Sequence, residues 1–139
     1  MKIGTGYERQ AELFRALAHP VRLRILDVLA RQDACVCHLT AMLGQRQPYV
    51  SQQLAALREA NLVSDRREGT LVYYRLADHA LADLLDESKN LLRGRGREPL
   101  TFEPVPEGAL DECPCPRCQA RAPVRRPEGR KQEAWRAWG

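Results

Sequence analysis

Two short amphipathic runs meet at Gly44 between Gln32 and Val63, and this hinge limits what the rest of the chain can become. In the second run Val50, Leu54 and Leu57 recur at i, i+4 and i+7 and therefore share one inward face. The opposite face presents Gln47, Ser51 and Gln52, with Tyr49 among them and Arg46 just ahead. Short polar groups of this kind hydrogen-bond to base edges, whereas an ordinary solvated helix would carry Glu and Lys. The pattern predicts a helix-turn-helix whose second helix reads DNA. Cys35 and Cys37 sit at the entrance of its first helix.

The flanking segments supply the supports such a motif needs. Tyr7–Ala18 reads as a helix with Phe14, Leu17 and Ala18 on one face. His19-Pro20 interrupts it, and Pro20 suits the first position of a second helix over Val21–Ala30. There Val21, Ile25, Val28 and Leu29 form the apolar stripe, while Arg22 and Arg24 point outward. The third helix covers Val36–Leu43, and the fourth runs from Gln47-Pro48 to Ala60. Leu62–Asp65 and Leu71–Arg75 are β-prone runs, and the turn predicted between them, Arg66-Arg67-Glu68-Gly69-Thr70, makes a hairpin with two arginines at its tip. A fifth helix over Asp78–Leu92 lines Leu81, Leu84, Leu85, Ser88 and Leu92 along one face. A stripe that apolar, after the small domain is complete, predicts pairing with a second copy, and a dimer has the two-fold symmetry of a palindromic site.

From Arg93 the composition changes. Gly94, Gly96, Pro99, Pro104, Pro106 and Gly108 predict a flexible linker leading to Cys113-Pro-Cys-Pro-Arg-Cys118 and a basic end with Trp135 and Trp138. The expected organisation is a DNA-binding and dimerisation domain over 1–92 and a Cys-containing tail over 93–139. Charge follows the same division. Residues 1–92 carry 12 Lys and Arg against 11 Asp and Glu, and 93–139 carry 10 against 7. The folded part is thus not broadly basic. Its cations are placed, with Arg46, Arg58, Arg66, Arg67 and Arg75 on or beside the reading elements and Asp78, Asp83, Asp86 and Glu87 elsewhere. No run reaches membrane-spanning length and the first residues lack the apolar core of a signal peptide, so a cytoplasmic protein is expected. Thiols there are normally kept reduced, so five cysteines point to metal binding or redox sensing rather than a disulfide framework.

In this order of elements, residues of about 8–92 resemble the ArsR/SmtB family of metal-sensing winged-helix repressors. The resemblance is carried by Leu13-Phe-Arg-Ala-Leu-Ala-His-Pro-Val-Arg-Leu-Arg-Ile-Leu26, by Cys35-Val-Cys37, by Tyr49-Val-Ser-Gln-Gln-Leu-Ala-Ala-Leu-Arg58 and by Arg67-Glu-Gly-Thr-Leu-Val-Tyr-Tyr-Arg75. It implies a mostly α winged helix-turn-helix with a small β-hairpin, homodimeric through its first and last helices, that holds double-stranded operator DNA with no cofactor and leaves when an inducer binds. Arg46 replaces the serine that usually opens the reading helix. The last-helix zinc site of some members is missing, because Asp78 is present but Ala80, Leu91 and Gly94 stand where its other ligands would be.

The thiols then carry the sensing chemistry. In a regular helix Cys35 and Cys37 would diverge by about 200°; at a helix entrance the backbone need not be helical, so both can turn to one ion if the first turn distorts. Such distortion would strain the third helix against the reading helix. Cys113, Cys115 and Cys118 can add ligands, since Cys115-Pro-Arg-Cys118 has chelate spacing. Three sulfurs suit As(III) or Sb(III), the favoured inducers; four suit Cd(II), Pb(II) or Zn(II). The tail either folds back onto Cys-Val-Cys of its own or the partner subunit, or forms a separate site. His38 reads as a polar surface residue, and His19 and His79 as structural. Two other readings remain: a thiol-redox-sensing repressor, and a metal-buffering protein with no operator preference. Catalysis is not expected, since no orienting group or substrate cradle accompanies Cys37-His38.

Overall fold

The computed structural model describes residues 3–96, 98–108, 110 and 113–120; Trp135 and Trp138 lie outside them. The element boundaries follow from individual residues. Helix α1 (Thr5–Leu17) gives way at His19, whose backbone is extended and whose Nδ1 accepts the Val21 N–H at 3.2 Å. That bond caps α2 (Pro20–Arg31), with Pro20 at a position where no donor is needed. A two-residue strand β1 (Ala34–Cys35) leads into α3 (Val36–Leu43), which stops at Gly44 in the left-handed region, φ 61°. Helix α4 (Gln47–Glu59) follows, and Asn61, also left-handed at φ 59°, turns the chain into β2 (Val63–Glu68). Gly69 and Thr70 connect β2 to β3 (Leu71–Leu76). Asp78 then accepts the Ala80 N–H at 2.8 Å and opens α5 (Ala80–Arg95), and a one-turn α6 (Pro116–Gln119) lies in the tail.

The hairpin differs from the sequence expectation in extent. Arg66, Arg67 and Glu68 continue β2 instead of forming the turn, because cross-strand pairing runs on through Arg66↔Tyr73, Arg67↔Val72 and Glu68↔Leu71. Strand β1 was not expected at all. It adds to the other edge of β3, giving a three-stranded antiparallel sheet in the order β1-β3-β2.

The core is aliphatic. Ile25, Leu26, Val28 and Leu29 of α2, Leu39 of α3, Val50, Leu54 and Leu57 of α4, and Leu76 of β3 are fully buried. Helices α3 and α4 are held as one body by this core, and α5 joins it through Leu81, Ala82 and Leu85. The face of α1 departs from expectation: the inward residues are Leu13, Ala16 and Leu17, and Phe14 is 48% exposed. In α5, Leu81, Ala82 and Leu85 enter this core, while Ser88, Leu91 and Leu92 are exposed on the protomer. Arg22 does not point outward either: its Nε donates to Gln53 Oε1 at 2.8 Å and its Nη1 to the Ala16 carbonyl at 3.2 Å, tying α2 to α4.

The segment read as a linker has no regular structure before α6, as its prolines and glycines predict, yet it is tied along the domain. Arg24 donates to the carbonyls of Glu103 and Pro104. Lys89 and Arg93 sit 5.1 and 5.0 Å from the centre of the Phe102 ring, and Gln32 Oε1 accepts the Gly108 N–H at 3.1 Å. These contacts fix the path by which Cys113, Cys115 and Cys118 return to the sheet. No helix among the described residues is long and apolar enough to cross a membrane.

Candidate functional site

The five cysteines, all free thiols, meet at the junction of β1, α3, β3 and the tail. Cys35 ends β1 with extended backbone (φ −83°, ψ 167°) and is the N-cap of α3, its sulfur accepting the His38 N–H at 3.4 Å. Cys37 lies in the first turn of α3. Because Cys35 is outside the helix, the divergence expected of a regular helix does not arise, and the two sulfurs stand 2.7 Å apart with no unwinding of α3. Cys113 adds its sulfur 3.5 Å from that of Cys37 and 4.0 Å from that of Cys35. With Cys115 these make a set whose four sulfurs all lie within 4.8 Å of one another.

The donor set fits a soft ion. A tetrahedron with metal–sulfur bonds of about 2.3 Å separates its sulfurs by about 3.8 Å, which the contacts to Cys113 bracket, while Cys35 and Cys37 would move apart. Cys35, Cys113 and Cys115 are buried and Cys37 is partly so. Burial pushes the Cys35 thiol up to about 12, helped by its hydrogen bond with Cys37, and burial likewise raises Cys113 and Cys118. At Cys115 burial also opposes ionisation, but hydrogen bonds from the Cys118 backbone and from neighbouring thiols bring it down to about 7. Buried thiols that each release a proton to solvent when a cation takes its place are the chemistry of a thiolate metal centre. The cleft beside them, lined in part by Gln32, His38, Tyr73 and Arg117, has room for about 10 Å³, too little for an organic ligand.

Cys118 falls into a second set with Cys113 and His38, so the Cys115-Pro-Arg-Cys118 spacing is divided between two groupings. His38 itself corrects the sequence expectation. It is 5% exposed, with Nδ1 3.2 Å from the Cys118 sulfur and Nε2 3.0 Å from Gln32 Nε2. Burial lowers its basicity. Tyr73 and Arg117 were also missed. Tyr73 packs against the sulfurs and pairs with Cys35 on one side and Arg66 on the other, so one cross-strand row runs from the thiols to β2. Arg117, between the two chelate-spaced cysteines, stacks 3.9 Å over the Tyr73 ring and pairs with Glu68 at 3.1 Å. Only the C-P-R-C spacing itself hinted that the residue between those cysteines would be held close to the site.

The residues expected to read DNA sit on α4 and β2. Arg46, Gln47, Ser51 and Gln52 are exposed at the start of α4, and Arg66 and Arg67 are exposed on β2. Tyr49 is half-buried, with its hydroxyl 3.3 Å from His19 Nε2. His19 Nδ1 is already an acceptor, so Nε2 carries the proton and donates to the Tyr49 oxygen, and the tyrosine O–H stays available to another acceptor. Arg75 is turned in, 9% exposed and paired with Asp33 at 3.5 Å, whereas Arg58 is exposed and pairs with Asp65 at 3.0 Å.

The family model for bacterial regulatory proteins of the arsR family matches residues 19–65, which span α2 through the start of β2. A transcriptional repressor SmtB homolog from Synechocystis sp. is 48% identical over 80 residues, 58% of this chain and 61% of that protein. The chain therefore spans less than two thirds of that relative's length. The arsenical resistance operon repressor of Escherichia coli is 42% identical over 81 residues, 55% of this chain and 69% of that protein. Among solved structures, the homodimeric winged helix-turn-helix DNA-binding domain Mb0332 of Mycobacterium bovis superposes with a TM-score of 0.62 at 30% identity, covering 70% of this chain and 92% of that one. With the helix-turn-helix, the hairpin beside it and this extent of identity in hand, the chain belongs to the arsR family of bacterial regulatory proteins.

Proposed function

We propose that this chain is a homodimeric repressor that holds palindromic operator DNA and releases it when a thiophilic ion is bound by Cys35, Cys37, Cys113 and Cys115. The observation that carries the reading is the cluster of four sulfurs within 4.8 Å, drawn from two elements of the domain and from the tail and seated on a strand of the hairpin. Four sulfurs, where the sequence favoured three, move the preferred inducer from As(III) or Sb(III) toward Cd(II), Pb(II) or Zn(II). The ion, when bound, supplies positive charge that lets buried thiols ionise. The chain's own residues do the rest. Cys35 joins β1 to α3, Cys113 and Cys115 clamp the tail onto β3, and Tyr73 and Arg117 connect that clamp to Arg66 and Glu68 of β2. The output thus runs through the hairpin as well as through α3. Such coupling is reciprocal, so bound DNA weakens inducer binding by the same factor, about 5- to 150-fold.

The DNA face comprises Arg46, Gln47, Tyr49, Ser51 and Gln52 for the groove and Arg66 and Arg67 for the phosphates. Dimerisation uses α1 and α5, whose exposed Phe14, Leu91 and Leu92 need a partner surface. The family is one of regulators, and no catalytic role is assigned.

The test is fluorescence anisotropy of the reduced protein on DNA from its own promoter, titrated anaerobically with Cd(II) and separately with As(III). Release by Cd(II) near one ion per protomer supports the four-sulfur reading, and release by As(III) alone returns the site to three sulfurs. Release by oxidant that reductant reverses, with neither ion effective, would replace metal sensing with the thiol-redox reading. Absence of sequence-selective binding would leave only a metal-buffering role.

A further inference from the structure

The same corner of the molecule offers two chemistries for His38. Together with Cys113 and Cys118 it forms a donor set that would hold a second ion, or it acts only as a hydrogen-bond donor. The atoms around Gln32 decide between them. Gln32 is 4% exposed at the C-terminal cap of α2. Its Oε1 accepts the Gly108 N–H at 3.1 Å, and its Nε2 lies 3.5 Å from the Pro106 carbonyl. Turning the amide over would set an N–H₂ against the Gly108 N–H, two donors facing each other, so the tail fixes its orientation. The Nε2 amino group has only hydrogens to offer, and it faces His38 Nε2 at 3.0 Å. That ring nitrogen therefore accepts with its lone pair. The ring proton then sits on Nδ1, which faces the Cys118 sulfur at 3.2 Å.

We propose that His38 is a positioning residue, held by Gln32 in the Nδ1–H form and donating to the Cys118 sulfur, and that the cluster consequently takes one thiophilic ion per protomer. To free Nδ1 for a metal the ring proton would have to move to Nε2, where it would meet the Gln32 amino group donor to donor, so the set of His38, Cys113 and Cys118 is a hydrogen-bonded brace beside the four-sulfur site. Cys118 is not itself one of the four ligands but hydrogen-bonds to one of them, Cys115, so His38 acts on the site through Cys118. Losing a direct outer partner of a ligand typically costs about 10- to 100-fold in metal affinity, and His38, one bond further out, sits at the low end of that range. The inference rests on the metal-site reading above for its stoichiometry, but not for the tautomer.

Two measurements on the full-length, reduced protein separate these dependencies. Long-range ¹H–¹⁵N correlation spectra of the ¹⁵N-histidine-labelled, metal-free protein at neutral pH report the His38 tautomer directly. The Nδ1–H pattern is expected, and the Nε2–H pattern would overturn the proposal. Cd(II) titration followed by thiolate charge-transfer absorbance is expected to saturate at one ion per protomer, with His38→Ala weaker by about 10-fold, the low end for a lost outer partner, because it acts through Cys118 on Cys115. His38→Asn, whose side-chain amide sits where Nδ1–H does, should recover most of that loss. Two ions per protomer in the wild type, falling to one in His38→Ala, would make His38 a ligand. Equal weakening by Ala and Asn would also count against a donor role. If no thiolate band forms at all, the metal reading fails while the tautomer spectrum still decides the hydrogen bond.

Discussion

Cys35 does three things with one sulfur: it ends a strand, caps a helix and belongs to the thiol cluster. Replacing Cys35 and Cys37 with Ser keeps the cap, because a hydroxyl also accepts an N–H, but removes both domain-side thiolates. The double variant should bind promoter DNA like the wild type and no longer release it with Cd(II), as anisotropy will show; continued release would exclude these two as ligands. The protonation states give a second expectation. Burial holds Cys35 and Cys113 neutral at physiological pH, so ion binding must expel their protons and apparent affinity must rise with pH. Cys115, near 7, is already losing its proton there, so the slope should flatten by about one proton as pH passes through that value. Calorimetry in two buffers of different ionisation enthalpy measures the protons released, and an affinity independent of pH would contradict the thiol assignment. The cysteines were legible because their spacing survives without any knowledge of the fold. His38, Gln32 and Tyr73 were not, since each is defined by a partner 80, 76 or 38 residues away, Cys118, Gly108 and Cys35 respectively, and no local pattern encodes such distances.

At the scale of elements, the helix-turn-helix was readable because period and punctuation agree, with Val50, Leu54 and Leu57 inward and Gly44 left-handed. The first strand of the hairpin was read three residues too short. Arg66, Arg67 and Glu68 have weak strand propensity, yet pairing with β3 carries the ladder through them, a case of tertiary context overriding local preference. Their being in a strand changes what they can do, because alternation sends Arg66 and Arg67 to opposite faces of the ribbon. Arg67→Ala should weaken binding to all DNA sequences alike and lower the salt dependence by about one unit, read from anisotropy across a salt series. An unchanged slope would remove Arg67 from the phosphate contacts. Arg117 belongs to the same element-level argument, since it reaches from α6 to both Tyr73 and Glu68. Arg117→Ala should leave DNA affinity and Cd(II) affinity each within a few-fold, yet shrink the factor by which Cd(II) weakens DNA binding toward the lower end of the 5- to 150-fold range. A full-sized factor in that variant would route the signal through α3 alone.

For the whole molecule, the tail determines whether the thiol site is complete. Its path is set by bonds that sequence composition does not reveal: Arg24 to two tail carbonyls, Gln32 to Gly108, and Lys89 and Arg93 against Phe102. Proline and glycine spacing correctly excluded a long helix there, but it says nothing about which carbonyls lie against a neighbouring arginine. These anchors lie between 102 and 108, ahead of the cysteines, so the segment is positioned before any sulfur is engaged. Removing 109–139 therefore keeps the anchors and deletes Cys113, Cys115 and Cys118 in one step. The truncated protein should retain the α2–α3–α4 core, remain dimeric by light scattering and bind operator DNA, because no residue of that aliphatic core cluster lies in the deleted part. Its Cd(II) affinity should fall by at least 10-fold, since two of four thiolates are gone, and the two that remain cannot complete a tetrahedron. Undiminished Cd(II) affinity would mean that Cys35 and Cys37 find their other ligands elsewhere, and the tail's place beside them would then have to be explained as packing against Tyr73.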